Sequence, residues 1–190
     1  MGNVVVEVVK DGNIEQCREL CNELMAFQKM KAVIAPESFD GMNFDTRMKK
    51  SYEGAIASQV IVAKDGGVPI GYCFSVIQEV EGVDGPYPSW APASGGGEYR
   101  GFYPDGKDLP SKVGCLNNIY FRSEYRGMGL GAKMLGMAMD WFGGFPGINL
   151  VFVYISNGNS EAYDFYIKHG FVFSHDVFGG FIKAVCKYIK

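Results

Sequence analysis

A chain of 190 residues that is 47% hydrophobic and 14% aromatic has material for one sizeable core and does not have the composition of a disordered protein. Its net charge of -3 and pI near 5.4 argue against the basic patch or stripe that nucleic-acid partners require. No run of about 18 apolar residues occurs, and no basic segment precedes the short apolar run at the start, so neither a membrane span nor secretion is expected. The five cysteines are odd in number and form no C-x-x-C pair, which suits a reduced, cytoplasmic chain in which they act as small core residues.

Residues 4–9 are β-rich, and after the break at 11–13 the apolar positions Ile14, Cys17, Cys21, Leu24 and Phe27 recur at helical spacing. A second helix is predicted through Phe44, Met48, Tyr52 and Ala55. Residues 60–63 and 70–80, separated by a Gly-Gly and Pro turn, read as an antiparallel hairpin. From 81 to 113 the character changes to Gly, Pro and aromatics, among them Tyr87, Trp90, Tyr99, Phe102 and Tyr103. A connection this long carries a task, and the expectation is a flap over the acceptor site that is not part of the fold. In that flap Trp90 would stack on an organic amine, and Glu98 or Asp84 would offer its ammonium a counter-charge. A dimer contact is the competing use of the same segment.

Residues 116–121 form the next strand, and the stretch Arg126-Gly127-Met128-Gly129-Leu130-Gly131-Ala132 then opens a helix whose buried face is Met134, Leu135, Ala138, Trp141 and Phe142. Residues 148–155 are almost uniformly apolar, as in a strand covered on both faces. A helix over 160–168 ends at Gly170, and 171–173 with 181–189 make a terminal hairpin. The order is β-α-α-β-β-(long loop)-β-α-β-α-β-β in one domain over 1–190, with an insertion at about 81–113. The unit from 116 to 155 should be a right-handed parallel crossover among largely antiparallel strands.

Glycines just ahead of a helix leave its first N–H groups bare, which suits a phosphorylated ligand. A Walker loop would need Gly-Lys-Ser/Thr, and this turn supplies Gly131-Ala132-Lys133-Met134. A dinucleotide fold would need its glycines near the start of several βαβ units. The turn instead resembles the Q/R-x-x-G-x-G/A motif of the GCN5-related N-acetyltransferase (GNAT) family. A second stretch, Asn159-Ser160-Glu161-Ala162-Tyr163-Asp164-Phe165-Tyr166-Ile167-Lys168-His169-Gly170-Phe171, is similar to that family's N-x-x-A-x-x-F-Y-x-x-x-G-F signature. The resemblance covers residues 116–173 through motifs and 4–80 through element order.

The resemblance implies an α/β (α+β) fold: a mixed, mostly antiparallel sheet of about seven strands with a central parallel pair, flanked by about four helices. It implies an acetyl-CoA-dependent N-acetyltransferase, with the acetyl group passed directly to a primary amine of a small molecule. A protein or peptide N-acetyltransferase is the alternative, and a non-catalytic acyl-CoA sensor is the alternative of another class. The cofactor contacts it implies are Arg126, Gly127, Met128, Gly129, Gly131 and Ala132 at the pyrophosphate. Backbone groups near Tyr120 and Phe121 would meet the pantetheine arm, with Asn159 and Phe165 nearby. Tyr166 falls where the family protonates the departing thiolate. Two departures stand out: Ser123 replaces a common proline, and 116–121 contains no carboxylate to act as base. Glu79, at the end of the third strand, is a weak substitute, and water relayed through Tyr120 or Asn118 is another route. His169 and His175 lack a metal-ligand cluster and are read as surface or packing residues, so no metal is expected. Cys115, beside the active strand, is read as accessible.

Overall fold

Seven strands form one sheet in the order β1-β2-β3-β4-β5-β7-β6 in this computed structural model, which describes residues 3–80, 102–104 and 109–190. The strands are β1 Val4–Val8, β2 Ala57–Asp65, β3 Val68–Glu79, β4 Lys112–Phe121, β5 Leu150–Ser156, β6 Val172–Val177 and β7 Ile182–Tyr188. All neighbours pair antiparallel except β4 and β5, which run parallel through the crossover helix α3, Leu130–Gly143. The remaining helices are α1 Arg18–Lys31, α2 Lys50–Gly54 and α4 Ser160–Lys168. Among the described residues no helix is long and apolar enough to cross a membrane.

Alternation along the strands sorts the core onto two faces. On one, Met134, Leu135, Ala138 and Phe142 of α3 and Tyr166 of α4 pack on Val151, Val153 and Ile155. On the other, Leu20 and Leu24 of α1 pack with Phe44 and Met48 on Val60, Val62, Tyr72 and Phe74. A third cluster gathers Phe102, Tyr103, Leu150, Phe152, Val177 and Phe181.

Two expectations need correction. The second helix is broken into a 3-10 turn Pro36–Phe39, a π turn Asp45–Lys49 and the short α2. Side chains compete for its backbone: Asn43 Oδ1 accepts from the Asp45 and Thr46 amides, and Asn22 Oδ1 accepts from the Phe44 amide. The predicted flap is also part of the fold where it is described. Phe102 and Tyr103 are buried, the Phe102 ring stacks 3.9 Å from that of Tyr154, and Gln78 donates to the Tyr103 hydroxyl. The last two residues of the predicted loop, Lys112 and Val113, already belong to β4. The stretches 81–101 and 105–108, with Asp84, Tyr87, Trp90, Glu98 and Tyr99, lie outside the described residues.

Candidate active site

The parallel ladder between β4 and β5 is short. It joins Gly114 to Val151, Cys115 to Phe152 and Leu116 to Val153, and there it stops. Beyond it, Ile119, Tyr120 and Phe121 stay paired with β3 through Cys73, Tyr72 and Gly71, so β4 continues while β5 diverges. The point of divergence has a cause in β4. The register with β3 jumps from Phe74↔Asn118 to Ser75↔Leu116, leaving Asn117 as the extra residue of a bulge. Its amide is held in place: Cys115 Sγ donates to Asn117 Oδ1 at 3.1 Å, and Asn117 Nδ2 donates to Ser51 Oγ of α2 at 3.1 Å. The strands therefore open as a fork whose inner edge carries backbone groups with no β5 partner.

Into the fork opens a cavity of about 520 Å³. One wall is the glycine turn. Gly127 and Gly129 have φ of +75° and +77°, and a Cβ at either would meet nothing within 4 Å, so the turn is open toward solvent rather than packed. Gly129 caps α3, whose first turn has no side-chain cap and no acidic residue. The leading amides of α3 thus face the cavity as unopposed donors, as an anion site requires. The other walls bring Phe121, Tyr120, Arg126, Ala132, Asn159, Phe165 and Tyr166 together with Gly131. An elongated thioester with an anionic pyrophosphate fits this shape: donors at one end, an apolar channel, and unpaired strand edge along it. Met128 is 43% exposed and does not line the cavity.

Each polar side chain here has a local reason for its place. Asn159 Oδ1 accepts from the Ala162 amide and caps α4 while lining the cavity. Arg126 Nε donates to the Phe121 carbonyl at 2.9 Å, and its guanidinium lies over the rings of Phe27 and Tyr120, so it braces the turn from inside. Glu23 of α1 accepts from the Tyr120 hydroxyl and from Arg122, tying α1 to the open end of β4. Burial, then the Glu23 carboxylate, raises the Tyr120 pKa. Tyr166 is 5% exposed, and burial in apolar surroundings drives its pKa well above that of a free phenol. It is therefore protonated at any working pH and can only donate.

Glu79 is not brought to this site. It is exposed, it faces Lys112 in the register, and it stands four residues past Ser75, about 13 Å along the strand from the bulge. Cys115 is buried, not accessible, and burial pushes its thiol up to about 12. Among the described residues no cluster of three His, Cys, Asp or Glu could hold a metal. His169, read as a packing residue, lines the cavity with its Nδ1 against the Phe165 carbonyl at 2.7 Å. Sequence reasoning missed Asn117, whose only signal is a bulge invisible without the β3 partner. It also missed Asn157. That side chain accepts from the Val33 and Ile34 amides and donates to the Ile34 and Phe181 carbonyls, clasping the corner after α1 to the β6–β7 turn.

Comparisons agree with this architecture. The family model described as Acetyltransferase (GNAT) family matches residues 26–171. The PaiA N-acetyltransferase of Thermoplasma acidophilum, solved with coenzyme A, superposes with a TM-score of 0.64 at 14% identity, over 98% of this chain and 99% of that one. Naa50 of Arabidopsis thaliana, solved with the bisubstrate analogue CoA-Ac-MVNAL, gives 0.57 at 16% identity over 98% and 99%. NAA60 of Arabidopsis thaliana, solved with acetyl-CoA, gives 0.58 at 13% identity over 98% and 99%. Identities this low speak for the fold alone. No curated protein matches the sequence significantly.

Proposed function

The chain belongs to the acetyltransferase (GNAT) family, whose members are acetyl-CoA-dependent acyltransferases, and from that premise we propose that it acetylates a primary amine by direct attack. The observation that carries this reading is the fork. One continuous cavity runs from the α3 amides to Tyr166, and the strand edge along it is unpaired beyond Leu116 and Val153. Acetyl-CoA, when bound, supplies an activated thioester. The turn amides at 127–132 hold its pyrophosphate, and the inner edge of β4 near Tyr120 and Phe121 holds its arm. A backbone N–H of that edge stabilises charge developing on the thioester oxygen.

Tyr166 donates the proton that the departing thiolate takes up. Removal of the ammonium proton falls to water held in the fork beside Asn118, since Glu79 stands away from it. Asn118 is 6% exposed and lines the small chamber between the strands, which supports that role. The acceptor is read as a small-molecule amine. A peptide N-terminus is the second reading, favoured by the likeness to Naa50, which was solved with a peptide-bearing analogue. A CoA-release assay over polyamines, aminoglycosides, amino acids and short peptides tests both. Thiol production with at least one amine is expected; acetyl-CoA binding with no thiol from any of them overturns the transferase reading in favour of a sensor.

A further inference from the structure

Behind the fork the large cavity continues into smaller spaces. A chamber of about 40 Å³ shares Leu24, Ile119, Asn159, Ala162 and Tyr166 with it. That chamber shares Gln28, Tyr154 and Ser156 with a third space of about 10 Å³ on the far side. Alternation along β5 explains the route. Val153 and Ile155 face α3 and α4, so Tyr154 and Ser156 face the α1 side, where Phe39, Met42 and Arg47 complete the third space. The series leads from the cofactor side of the sheet through the fork to the opposite face.

Two features of the far end point to one ligand chemistry. Ser156 is 3% exposed, and its Oγ is buried without a hydrogen-bond partner among the described residues, although buried hydroxyls are normally satisfied. Arg47 lies in the same wall, set among Cys21, Tyr72 and Cys115, and it is the only described residue lining either small space that carries a formal charge. Burial lowers its pKa to about 10, so it stays cationic at neutral pH. A guanidinium and a hydroxyl converging in a low-dielectric recess form a receptor for an oxyanion and repel a second ammonium.

We propose that the acceptor is an amine bearing a carboxylate several bonds from its nitrogen, with the carboxylate received by Arg47 and Ser156 while the amine lies in the fork. This rests on the acetyl-transfer reading above and gives it a substrate class. The spacing follows from the strand: Ser156 is three residues beyond Val153, or about 10 Å. That reach fits an ω-amino carboxylate or an acidic side chain next to a peptide N-terminus, and it is too long for an α-amino acid's own carboxylate. Polyamines are excluded as good acceptors.

The test compares 6-aminohexanoate with hexylamine and 1,6-diaminohexane, and a capped Ala-Glu peptide with its Ala-Gln counterpart, by CoA release. Whichever carboxylate source is used, it should exceed its neutral partner in kcat/KM by at least about 30-fold, and Arg47→Met should bring that ratio near one. Ser156→Ala should lower it several-fold, and Arg47→Lys should retain part of it, so the test survives if Arg47→Met fails to fold. A readout independent of turnover is the melting temperature with CoA present: 6-acetamidohexanoate should raise it and N-hexylacetamide should not. Equal acetylation of all three small amines, or a carboxylate preference that persists in Arg47→Met, overturns the proposal. If no amine of any charge releases CoA, the transfer reading fails, and binding of the acetamido acid then decides the recess by itself.

Discussion

Leu116 and Val153 face each other as the last partners of the parallel pair, and the fork that holds the site begins one residue later. The bulge at Asn117 turns β4 away from β5 there, so a packing irregularity in a strand becomes an opening between two strands. Sheet hydrogen bonds lost at that point leave donors and acceptors for a ligand to take.

Tyr166→Phe keeps the ring and removes only the hydroxyl, which lines the cavity and lies next to the fork. We expect kcat to fall by about tenfold or more, the acetyl-CoA thermal shift to remain, and stability to change little, since the lost hydroxyl is buried in apolar surroundings. Unchanged kcat with chemistry shown to be rate-limiting would return Tyr166 to the core.

Gly129→Glu places a side chain where φ is +77° and a carboxylate in front of the α3 amides. Strain of about 1–2 kcal/mol is expected from the left-handed conformation. The stabilisation by acetyl-CoA should disappear while the variant still folds. A thermal shift equal to that of the wild type would remove the turn from the phosphate site.

The clasp at Asn157 and Gly158 should be sensitive for two different reasons. A Cβ on Gly158 would stand 1.9 Å from the Lys31 carbonyl oxygen, at a φ of +77°. Gly158→Ala must therefore displace the corner after α1, and Asn157→Ala leaves the Val33, Ile34 and Phe181 groups without their partner. Each variant should lose about 2–3 kcal/mol in urea unfolding with an unchanged slope. In the folded Asn157→Ala protein the amine KM should rise more than the acetyl-CoA KM. A variant as stable as the wild type would show that the clasp is dispensable.

Alkaline pH should unfold the protein early. Burial pushes the thiols of Cys17, Cys73 and Cys115 from 9.0 up to about 12, and it raises Tyr72 and Tyr154 as well. The native state therefore keeps protons that the unfolded chain releases, so stability is retained below pH 9 and declines as pH rises from there toward 12. Near pH 10 the loss is on the order of 1 kcal/mol per thiol. Denaturation midpoints measured from pH 7 to 10.5 check this, and a flat profile would contradict it.

What the sequence by itself determined is local. Helical and alternating periods placed most of the elements, although the second helix broke up and β4 began earlier than expected. The glycines of the 126–131 turn stand where φ is positive, and Asn159 caps the helix that its own motif opens. These features need only neighbours within a few residues, so they can be read one segment at a time. The tertiary structure alone decided where β4 bulges, that Glu79 lies at the wrong end of its strand, and that Phe102 and Tyr103 belong to the core. It also brought Asn157 to Val33 across 124 positions, and Arg47 to Ser156 across a greater part of the chain than any motif spans. Register and cross-sheet contacts arise from the packing of whole faces against one another. No short stretch carries that information, because the partner of each residue is set by every other pair in the sheet.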